Sequence, residues 1–348
     1  MEKIKKYMNI LVTGIGGPTP LGIVKSLRME LSNIKVFGVD ANKFAPGHFD
    51  KNFDKTFTIP KAEEPNYWDV VINIIIENKI DVAFVIPETE VLIWSKRKNN
   101  FDLPCKVLLP DYEVANFMFD KLKVSNFLFT KGLSPKTVKV ENNVNLLKRQ
   151  AETLGYPFWV RVNKTAGAIG ALKVDNMESL LDWLKLKENG EFIASTFLPG
   201  RNYAAKILFS ENQVLLSASA ERVEYLMPNL SPTRITGMCA RGRLINYPEL
   251  IEKAESAIRS IFDYHHKKIN GMFTVDFKED NYGVPLITEI NIRHVSFTHA
   301  FSLGGANFPV ITIKNLIKGE SSDRVDYIFN KEYTFLRGID YPLILVDN

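Results

Sequence analysis

The chain has little cysteine and no long hydrophobic run, and both absences narrow the class of protein. Cys105 and Cys239 are its two cysteines, too few for a disulfide framework and typical of a reducing compartment. No apolar run approaches the ~20 residues that cross a bilayer. The basic first residues lead into a strand-like segment rather than a signal sequence. We therefore expect a cytoplasmic protein without a membrane partner.

Neither sign of charge is in large excess. The 348 residues include 44 Lys and Arg against 40 Asp and Glu, a net charge of +4, so no nucleic-acid partner is predicted. A composition of 45% hydrophobic and 24% charged residues is that of a globular protein and excludes disorder and fibrous repeats. The length predicts two or three domains of roughly 150 residues.

Strand and helix patterns alternate in the first third of the chain. Residues 10–12 and 34–39 are apolar, β-branched strands, and residues 21–31 between them have helical spacing. A helix-like stretch at 67–77 leads to further strands at 81–87 and 106–110. This alternation predicts a parallel sheet with right-handed crossovers.

A glycine turn follows the first strand and has two interpretations. Gly14 and Gly16, with Asp40 at the end of the next strand, resemble a dinucleotide fingerprint and predict an NAD(P)-dependent oxidoreductase. The alternative is a turn that needs glycine only for its backbone angles and for close packing. Glu88 and Glu90 lie where ligands bind in such sheets, although we interpret them mainly as solvated loop acids.

The middle of the chain carries candidate phosphate ligands. A helix with Asp111 as N-cap is predicted to run through Lys121. A strand at 155–162 contains Arg161 and enters a loop of small residues at 163–174. Converging backbone N–H groups in such a loop bind phosphate oxygens, and an arginine adds the required charge. The alternative is an ordinary mobile hairpin.

Four arginines lie in or just after residues 222–242, a segment without clear periodicity that we interpret as a loop over a site. Arg234 is the preferred anion-binding candidate, with a solvated side chain as the alternative. His294 and His299 raise the question of zinc. Their spacing of five on irregular chain is poor for a zinc site.

The strongest pattern is a hairpin near the C-terminal end. Strands are predicted at 271–278 and 285–293, and Glu289 and Asn291 share a face because strand side chains alternate. Asp276 lies thirteen positions before Glu289, where it can meet that face. Such oxygen ligands suit Mg²⁺, and Arg293 could hold a transferred phosphate. The alternative, a polar surface hairpin, leaves acids embedded in apolar strands, where unpaired charge is costly.

Taken in order, these motifs resemble the ATP-grasp superfamily, particularly carboxylate–amine ligases similar to the large subunit of carbamoyl phosphate synthetase and biotin carboxylase. The closing Glu289-Ile290-Asn291-Ile292-Arg293 resembles the family's Glu-x-Asn-Pro-Arg motif. The resemblance implies an α/β and α+β protein in three parts. They are a Rossmann-like pre-ATP-grasp domain (1–112), a small lobe with a linker helix (113–190), and a large lobe with antiparallel sheet and tail (191–348).

The resemblance also implies roles for individual residues. The nucleotide would be bound by phosphate ligands, a closing loop, strand backbone groups near adenine and a ribose contact: Lys121, Arg161, Lys164, Gly167, Gly170, Ile193, Ser195 and Asn202. Asp276, Glu289 and Asn291 would be the metal ligands. Arg293, near the γ-phosphate, and the anion-binding candidate Arg234 would be the catalytic residues.

The implied reaction joins a small-molecule carboxylate to an amine. The carboxylate attacks the γ-phosphate of ATP to form an acyl phosphate, and the amine then displaces phosphate. The cofactors would be ATP and two Mg²⁺ ions, with Mn²⁺ as a replacement, and homodimers are common in such families. The usual glutamate near Ser195-Thr196 is missing and Lys206 stands where an acid is common. These departures motivate a second alternative, a catalytically silent ATP-binding regulatory protein.

Overall fold

Three β-sheets organise the chain in this computed structural model. It describes residues 7–141, 143–164, 171–186, 190–231, 233–318, 324–339 and 344–347. A parallel five-stranded sheet comes first, followed by an antiparallel four-stranded sheet and an eight-stranded sheet. No helix of the described residues is long and apolar enough to span a membrane.

The first sheet is the predicted Rossmann-like unit. Its strand order is β3-β2-β1-β4-β5, and its pairings are parallel. The strands are β1 (Met8–Thr13), β2 (Ile34–Asp40), β3 (Lys55–Thr58), β4 (Val82–Phe84) and β5 (Lys106–Val107), and the helices are α1 (Pro18–Glu30), α2 (Tyr67–Glu77) and α3 (Glu88–Asn100). Apolar side chains fill both faces of the sheet. The predicted parallel sheet is confirmed.

The glycine turn after β1 is explained by its own packing. Gly14 has a φ of +67°, and a Cβ there would lie 2.5 Å from Cγ of Pro87. The backbone N–H of Gly16 donates to the Asp40 carboxylate at 2.7 Å, and the other oxygen of Asp40 accepts from the N–H of Asn42. Asp40 therefore closes the turn itself. This favours the structural interpretation of the motif over a nicotinamide site.

Two helices, rather than the one predicted, lead out of this sheet. They are α4 (Tyr112–Phe119) and α5 (Lys121–Phe129). Asp111 caps the first helix as expected, through the N–H of Glu113. Asp120 then breaks the helical path and caps α5, accepting from the N–H of Lys123. Lys121 is consequently the first residue of a helix.

The small sheet has the order β6-β9-β7-β8 and is antiparallel. Its strands are β6 (Thr137–Lys139), β7 (Phe158–Val162), β8 (Leu172–Val174) and β9 (Phe192–Thr196), with α6 (Val144–Leu154) and α7 (Met177–Leu186) alongside. β9 pairs with both β6 and β7, so it is a central strand of this sheet. The next strand along the chain begins at Asn202 and belongs to the eight-stranded sheet.

The large sheet holds the predicted hairpin. Its order is β14-β13-β10-β11-β12-β16-β17, with β15 pairing to β11. The strands are β10 (Asn202–Ser210), β11 (Gln213–Tyr225), β12 (Cys239–Ile245), β13 (Gly271–Glu279), β14 (Pro285–Asn291), β15 (Val325–Asp326), β16 (Tyr333–Leu336) and β17 (Ile344–Asp347), and α8 (Pro248–Tyr264) packs its apolar face against them. Part of the segment expected to be a loop is thus strand, at the end of β11 and in β12.

The chain returns to the first domain after β14. Helices α9 (Thr298–Leu303) and α10 (Phe308–Lys318) pack against α1. The ring nitrogen Nδ1 of His299 lies 3.0 Å from Oγ of Ser26, and the Asn307 amide donates to the Ser26 carbonyl at 2.9 Å. Val310 and Ile313 complete the core of the first domain. These contacts fix the first domain against the large sheet.

Candidate active site

The hairpin β13–β14 brings the predicted metal ligands together. Asp276 lies directly opposite Glu289, and Thr274 lies opposite Asn291. A bulge at Thr288, whose hydroxyl donates to the Asp276 carbonyl at 3.1 Å, interrupts the register on one side of this pair. The spacing in the sequence therefore correctly predicted that Asp276 and Glu289 lie on one face of the hairpin.

Two cations flank the Glu289 carboxylate. The Lys121 ammonium lies 3.5 Å from one of its oxygens, and the Arg161 guanidinium lies 3.6 Å from the other. Arg161 also donates to the Thr288 carbonyl, while its buried Nε has no partner among the described residues. Burial lowers the pKa of Arg161. A buried donor without a partner beside a second cation suits an oxygen-rich anion such as a phosphate.

Asn163 fixes the positions of these cations. Its side-chain oxygen accepts from the Leu122 N–H at 2.9 Å, and its amide donates to Asp120 at 3.0 Å. Its carbonyl accepts from the Lys121 ammonium at 3.2 Å. Lys164, by contrast, is half exposed and lies 3.4 Å from Asp120, away from Glu289. The predicted loop residues Gly167 and Gly170 lie outside the described residues.

Of the four arginines in or just after residues 222–242, Arg222 is the one that contacts Asp276. Its guanidinium donates to Asp276 at 2.6 Å and lies 5.0 Å from the ring centre of Phe297. Burial and the nearby Glu289 raise the pKa of Asp276, and Arg222 opposes that rise. Sequence reasoning preferred Arg234 because it read the segment as a loop. The missed signal was the alternation of Ala218, Ala220 and Arg222, which continues β11 to Tyr225.

Arg234 itself is exposed, with a φ of +59°. Its neighbours Ile235 and Gly237 line the central cavity, but Arg234 is not among the described residues that do so. Its predicted role as an anion ligand therefore receives no support from its position. Just before it, the hydroxyls of Ser231 and Thr233 hydrogen-bond to each other at 2.9 Å.

The hairpin offers a donor set that fits Mg²⁺. Within the described part of the chain no three His, Cys, Asp or Glu side chains cluster. The set consists instead of the carboxylates of Asp276 and Glu289 and the amide of Asn291, whose nitrogen lies 3.3 Å from Asp276. A rotation of that amide by 180° turns its oxygen to the same point. Mg²⁺ is usually held by one or two carboxylates together with substrate phosphates and water.

Arg293 follows the hairpin and points to the first domain. Its Nε lies 3.5 Å from the Glu88 carboxylate, and it donates to the His294 carbonyl at 3.0 Å. Burial raises the pKa of Glu88, and Arg293 lowers it. The expectation of solvated loop acids was wrong, because Glu88 and Glu90 begin α3. Glu90 is 7% exposed and accepts a hydrogen bond from Tyr67 at 2.8 Å.

A cavity of about 420 Å³ joins these groups. It lies between the small sheet, the large sheet and the start of α1. Its lining includes these site residues predicted from the sequence: Lys121, Arg161, Ser195, Asn202, Asp276, Glu289, Asn291 and Arg293. This volume lies within the range of small-molecule ligand pockets, about 300–1,000 Å³.

Ile193 is not among the described lining residues. It is 1% exposed, and its backbone lies in register with Lys139 on one side and Arg161 on the other. A central strand therefore uses these backbone groups in its own sheet. Phe197 and Leu198, which follow β9 and line the cavity, were missed. The strand's end, rather than its middle, is where backbone groups become available.

The two histidines considered for zinc are held by different partners. His294 Nδ1 lies 3.1 Å from the Lys206 amine, whereas His299 faces Ser26. Burial lowers the pKa of His299 to about 4 and that of His294 well below its usual range. The Lys206 amine also donates to Thr298. These contacts explain both histidines without a shared metal ion.

A parallel sheet is followed by two further sheets, and the acids of β13–β14 face cations from α5 and β7 across a cavity. The fold expected from the resemblance is confirmed. Residues 10–108 also match the family model described as PylC-like, N-terminal domain. No curated protein matches the sequence.

Several solved structures share the fold over almost the whole chain. N5-carboxyaminoimidazole synthetase from Staphylococcus aureus, complexed with ADP, has a TM-score of 0.72 at 17% identity and covers 97% of this chain and 83% of its own. The biotin carboxylase domain of Hydrogenobacter thermophilus 2-oxoglutarate carboxylase, in complex with MgADP, ADP and bicarbonate, has a TM-score of 0.70 at 15% identity and covers 96% and 75%. L-amino acid ligase from Bacillus licheniformis has a TM-score of 0.69 at 15% identity and covers 95% and 80%.

Proposed function

We propose that the protein is an ATP-dependent, ADP-forming ligase that activates a carboxylate as an acyl phosphate and joins it to an amine. The observation that carries this proposal is the position of Glu289, between Lys121 and Arg161 and opposite Asp276, inside a cavity bounded by two sheets. Such an arrangement serves a polyphosphate with its divalent cation. The ADP, MgADP and ATP in structures of the same fold support the choice of ligand.

Asp276, Glu289 and Asn291 would hold Mg²⁺, in one or two ions, with Mn²⁺ as a replacement. When bound, the metal neutralises charge on the β- and γ-phosphate oxygens. Lys121 and Arg161 bind the same phosphates from the small-lobe side. Ser195 and Asn202 lie along the cavity wall for the rest of the nucleotide.

The chemistry requires no protein nucleophile. A carboxylate oxygen of the substrate attacks the γ-phosphorus, and the bond to the β-phosphate oxygen breaks to release ADP. The amine nitrogen then attacks the acyl carbon, inorganic phosphate leaves, and the nitrogen loses a proton. Arg293, which lines the same cavity, would stabilise charge on the transferred phosphoryl group. Water must be kept from the acyl phosphate until the amine attacks.

Binding and chemistry can be tested separately. ATP at about 100 times its Kd should stabilise the fold by roughly 2.7 kcal/mol, a rise in Tm of several degrees for a protein of this size. The rise should require Mg²⁺. For chemistry, hydroxylamine serves as a general amine that converts any acyl phosphate to a hydroxamate, so the natural amine need not be known.

Glu289→Gln should abolish hydroxamate and ADP formation, whereas the matched change Glu249→Gln at an exposed position of α8 should leave both unchanged. Unchanged turnover in Glu289→Gln would contradict the proposed function. Tight Mg-ATP binding with no turnover of any acid would favour the silent regulatory alternative. Stabilisation by NAD(P) but not by ATP would favour the oxidoreductase.

A further inference from the structure

An acidic side chain of the first domain reaches the candidate active site. Glu88 is the first residue of α3, the helix that follows β4. Its carboxylate lies 3.5 Å from Nε of Arg293, and the two side chains are only 10% and 16% exposed. Arg293 lines the cavity, whereas Glu88 is not among the described residues that do so. Glu88 therefore meets the site through Arg293 rather than through the cavity itself.

The glycine turn after β1 fixes the position of Glu88. Gly14 has a φ of +67°, and a Cβ there would lie 2.5 Å from Cγ of Pro87, so only glycine permits this close packing. The N–H of Ile86 donates to the Thr13 hydroxyl at 3.1 Å. Pro87 is the N-cap residue of α3. These contacts hold the start of α3 against the end of β1, and Glu88 is the next residue.

Glu88 supplies the carboxylate that balances the charge of Arg293. A second guanidinium, that of Arg337, reaches the same chain segment and donates to the Ser296 carbonyl. Asp276 lies within electrostatic range, because Arg293 lowers its pKa. Among the described residues, however, Glu88 is the carboxylate that contacts Arg293. Without Glu88, attraction between opposite charges would draw Arg293 towards Asp276, which the proposed metal ion needs.

We propose that Glu88 is a positioning residue: its carboxylate holds the Arg293 guanidinium at the transferred phosphoryl group and away from the metal ligand Asp276. This rests on the proposed function, in which Arg293 stabilises charge on that phosphoryl group. A cation lowers the barrier when it is already in place as the charge develops. A misplacement of about 1 Å can cost about 100-fold in rate. The first domain thus takes part in phosphoryl transfer through a residue outside the cavity.

The test compares Glu88→Gln with the matched change Glu113→Gln. Glutamine keeps the shape of Glu88 without its charge. It should not weaken the fold, because burial raises the pKa of Glu88 and so disfavours the charge. Glu113 also lies in the first turn of a helix, α4, and it pairs with Lys267 at 3.3 Å. It is exposed and is not among the described residues that line the cavity.

The first readout needs no acid substrate. It is the Mg²⁺ concentration that gives half of the ATP-dependent rise in Tm. This concentration should increase about tenfold or more in Glu88→Gln, because Arg293 then competes with the metal ion for Asp276. It should stay at the wild-type value in Glu113→Gln. Equal Mg²⁺ titrations for Glu88→Gln and the wild type would overturn the proposal.

The second readout is ADP formation with hydroxylamine, Mg-ATP and each acid of a panel: acetate, lactate, leucine, aspartate and gluconate. At saturating Mg²⁺, Glu88→Gln should lower kcat about 10–100-fold and leave the KM for ATP unchanged. A purely structural role would lower Tm without this split. The double variant Glu88→Gln, Arg293→Met should be no slower than Arg293→Met alone, because residues that act through one another are not additive.

The outcomes separate this proposal from the proposed function. Additive losses in the double variant, an unchanged kcat in Glu88→Gln, or an equal fall in Glu113→Gln would overturn the role of Glu88 and leave the ligase standing. If the wild type binds Mg-ATP but turns over no acid of the panel, the Mg²⁺ titration decides the role of Glu88 alone. A wild type that forms no ADP and gains no stability from Mg-ATP would overturn both.

Discussion

The ammonium nitrogen of Lys121 lies 3.5 Å from a carboxylate oxygen of Glu289, so the first residue of α5 faces a residue of β14 across the cavity. Both side chains are largely buried. The two residues are far apart in the sequence, and their pairing defines the charged centre of the site.

Lys121→Met should weaken ATP binding by about 10–100-fold, because a charge-assisted hydrogen bond contributes about 1.5–3 kcal/mol. The measurement is the rise in Tm with increasing ATP at fixed Mg²⁺. Lys123→Met, on the exposed face of the same helix, is the control and should bind like the wild type. Equal ATP titrations for the two variants would show that Lys121 does not contact the nucleotide.

Asp276→Asn should raise the Mg²⁺ concentration for half-maximal ATP-dependent stabilisation by about tenfold or more, in line with the effects of altering metal sites. It should also lower the stability of the unliganded protein, because Arg222 loses its buried partner. Asp263→Asn, exposed on α8, should change neither property. A Mg²⁺ titration unaffected by Asp276→Asn would remove Asp276 from the metal site.

Glu90→Gln should stabilise the protein above neutral pH. Burial raises the pKa of Glu90 to about 7, against an ordinary value of 4.5. Between these values the folded state holds a proton that the unfolded state has lost, so wild-type stability falls as pH rises. The shift corresponds to on the order of 3 kcal/mol. Because glutamine cannot ionise, Glu90→Gln does not lose this stability.

The measurement is urea unfolding at pH 5 and pH 8. The difference in unfolding free energy between Glu90→Gln and the wild type should increase from the first pH to the second. Glu77→Gln, exposed at the end of α2, serves as the control. A difference that is constant with pH would mean that Glu90 is ionised throughout.

Lys206→Met should still fold. Its free energy of unfolding should rise relative to that of the wild type as pH is lowered. Lys206 is fully buried between Phe301 and Phe308, and burial lowers the pKa of its amine well below the usual range. The unfolded chain binds a proton there that the folded protein does not, so the wild type loses stability as pH falls from about 10 towards the lowered folded-state pKa. Methionine has a similar volume and no such titration.

The comparison variant is Lys206→Ala, which opens a cavity and should cost about 2–5 kcal/mol, as large-to-small core changes do. Unfolding free energies of both variants at pH 7 and pH 9.5 are the measurement. Equal losses in the two variants would indicate that the bonds from Lys206 to Thr298 and His294 contribute more than the buried amine costs.

Local patterns in the sequence were sufficient for much of the fold. The alternation of strands and helices up to residue 110, the hairpin at β13–β14 and the cap at Asp111 were confirmed by the structure. Each depends on neighbouring residues, whose periodicity fixes which side chains share a face. Short strands without that periodicity were missed, including β3, β6 and the three strands after residue 324.

The candidate site, like the fold, could be predicted from the sequence only in part. Glu289, Asn291 and Asp276 could be named from sequence because one hairpin holds them, and their spacing fixes their shared face. The partnership of Arg222 with Asp276, and the burial of Glu88 against Arg293, could not be foreseen. Each of these pairs joins elements whose contact depends on how two sheets and a helix pack.

Local sequence patterns were enough to predict the parallel sheet of the first third of the chain, the acidic hairpin and the glycine turn, because these depend on residues adjacent in the chain or in one strand pair. Only the packing of the sheets and helices shows which cations face the acids, which arginines approach them and which side chains line the cavity. A charge is stabilised, or a pocket shaped, by the residues that lie opposite it, and those residues are distant along the chain.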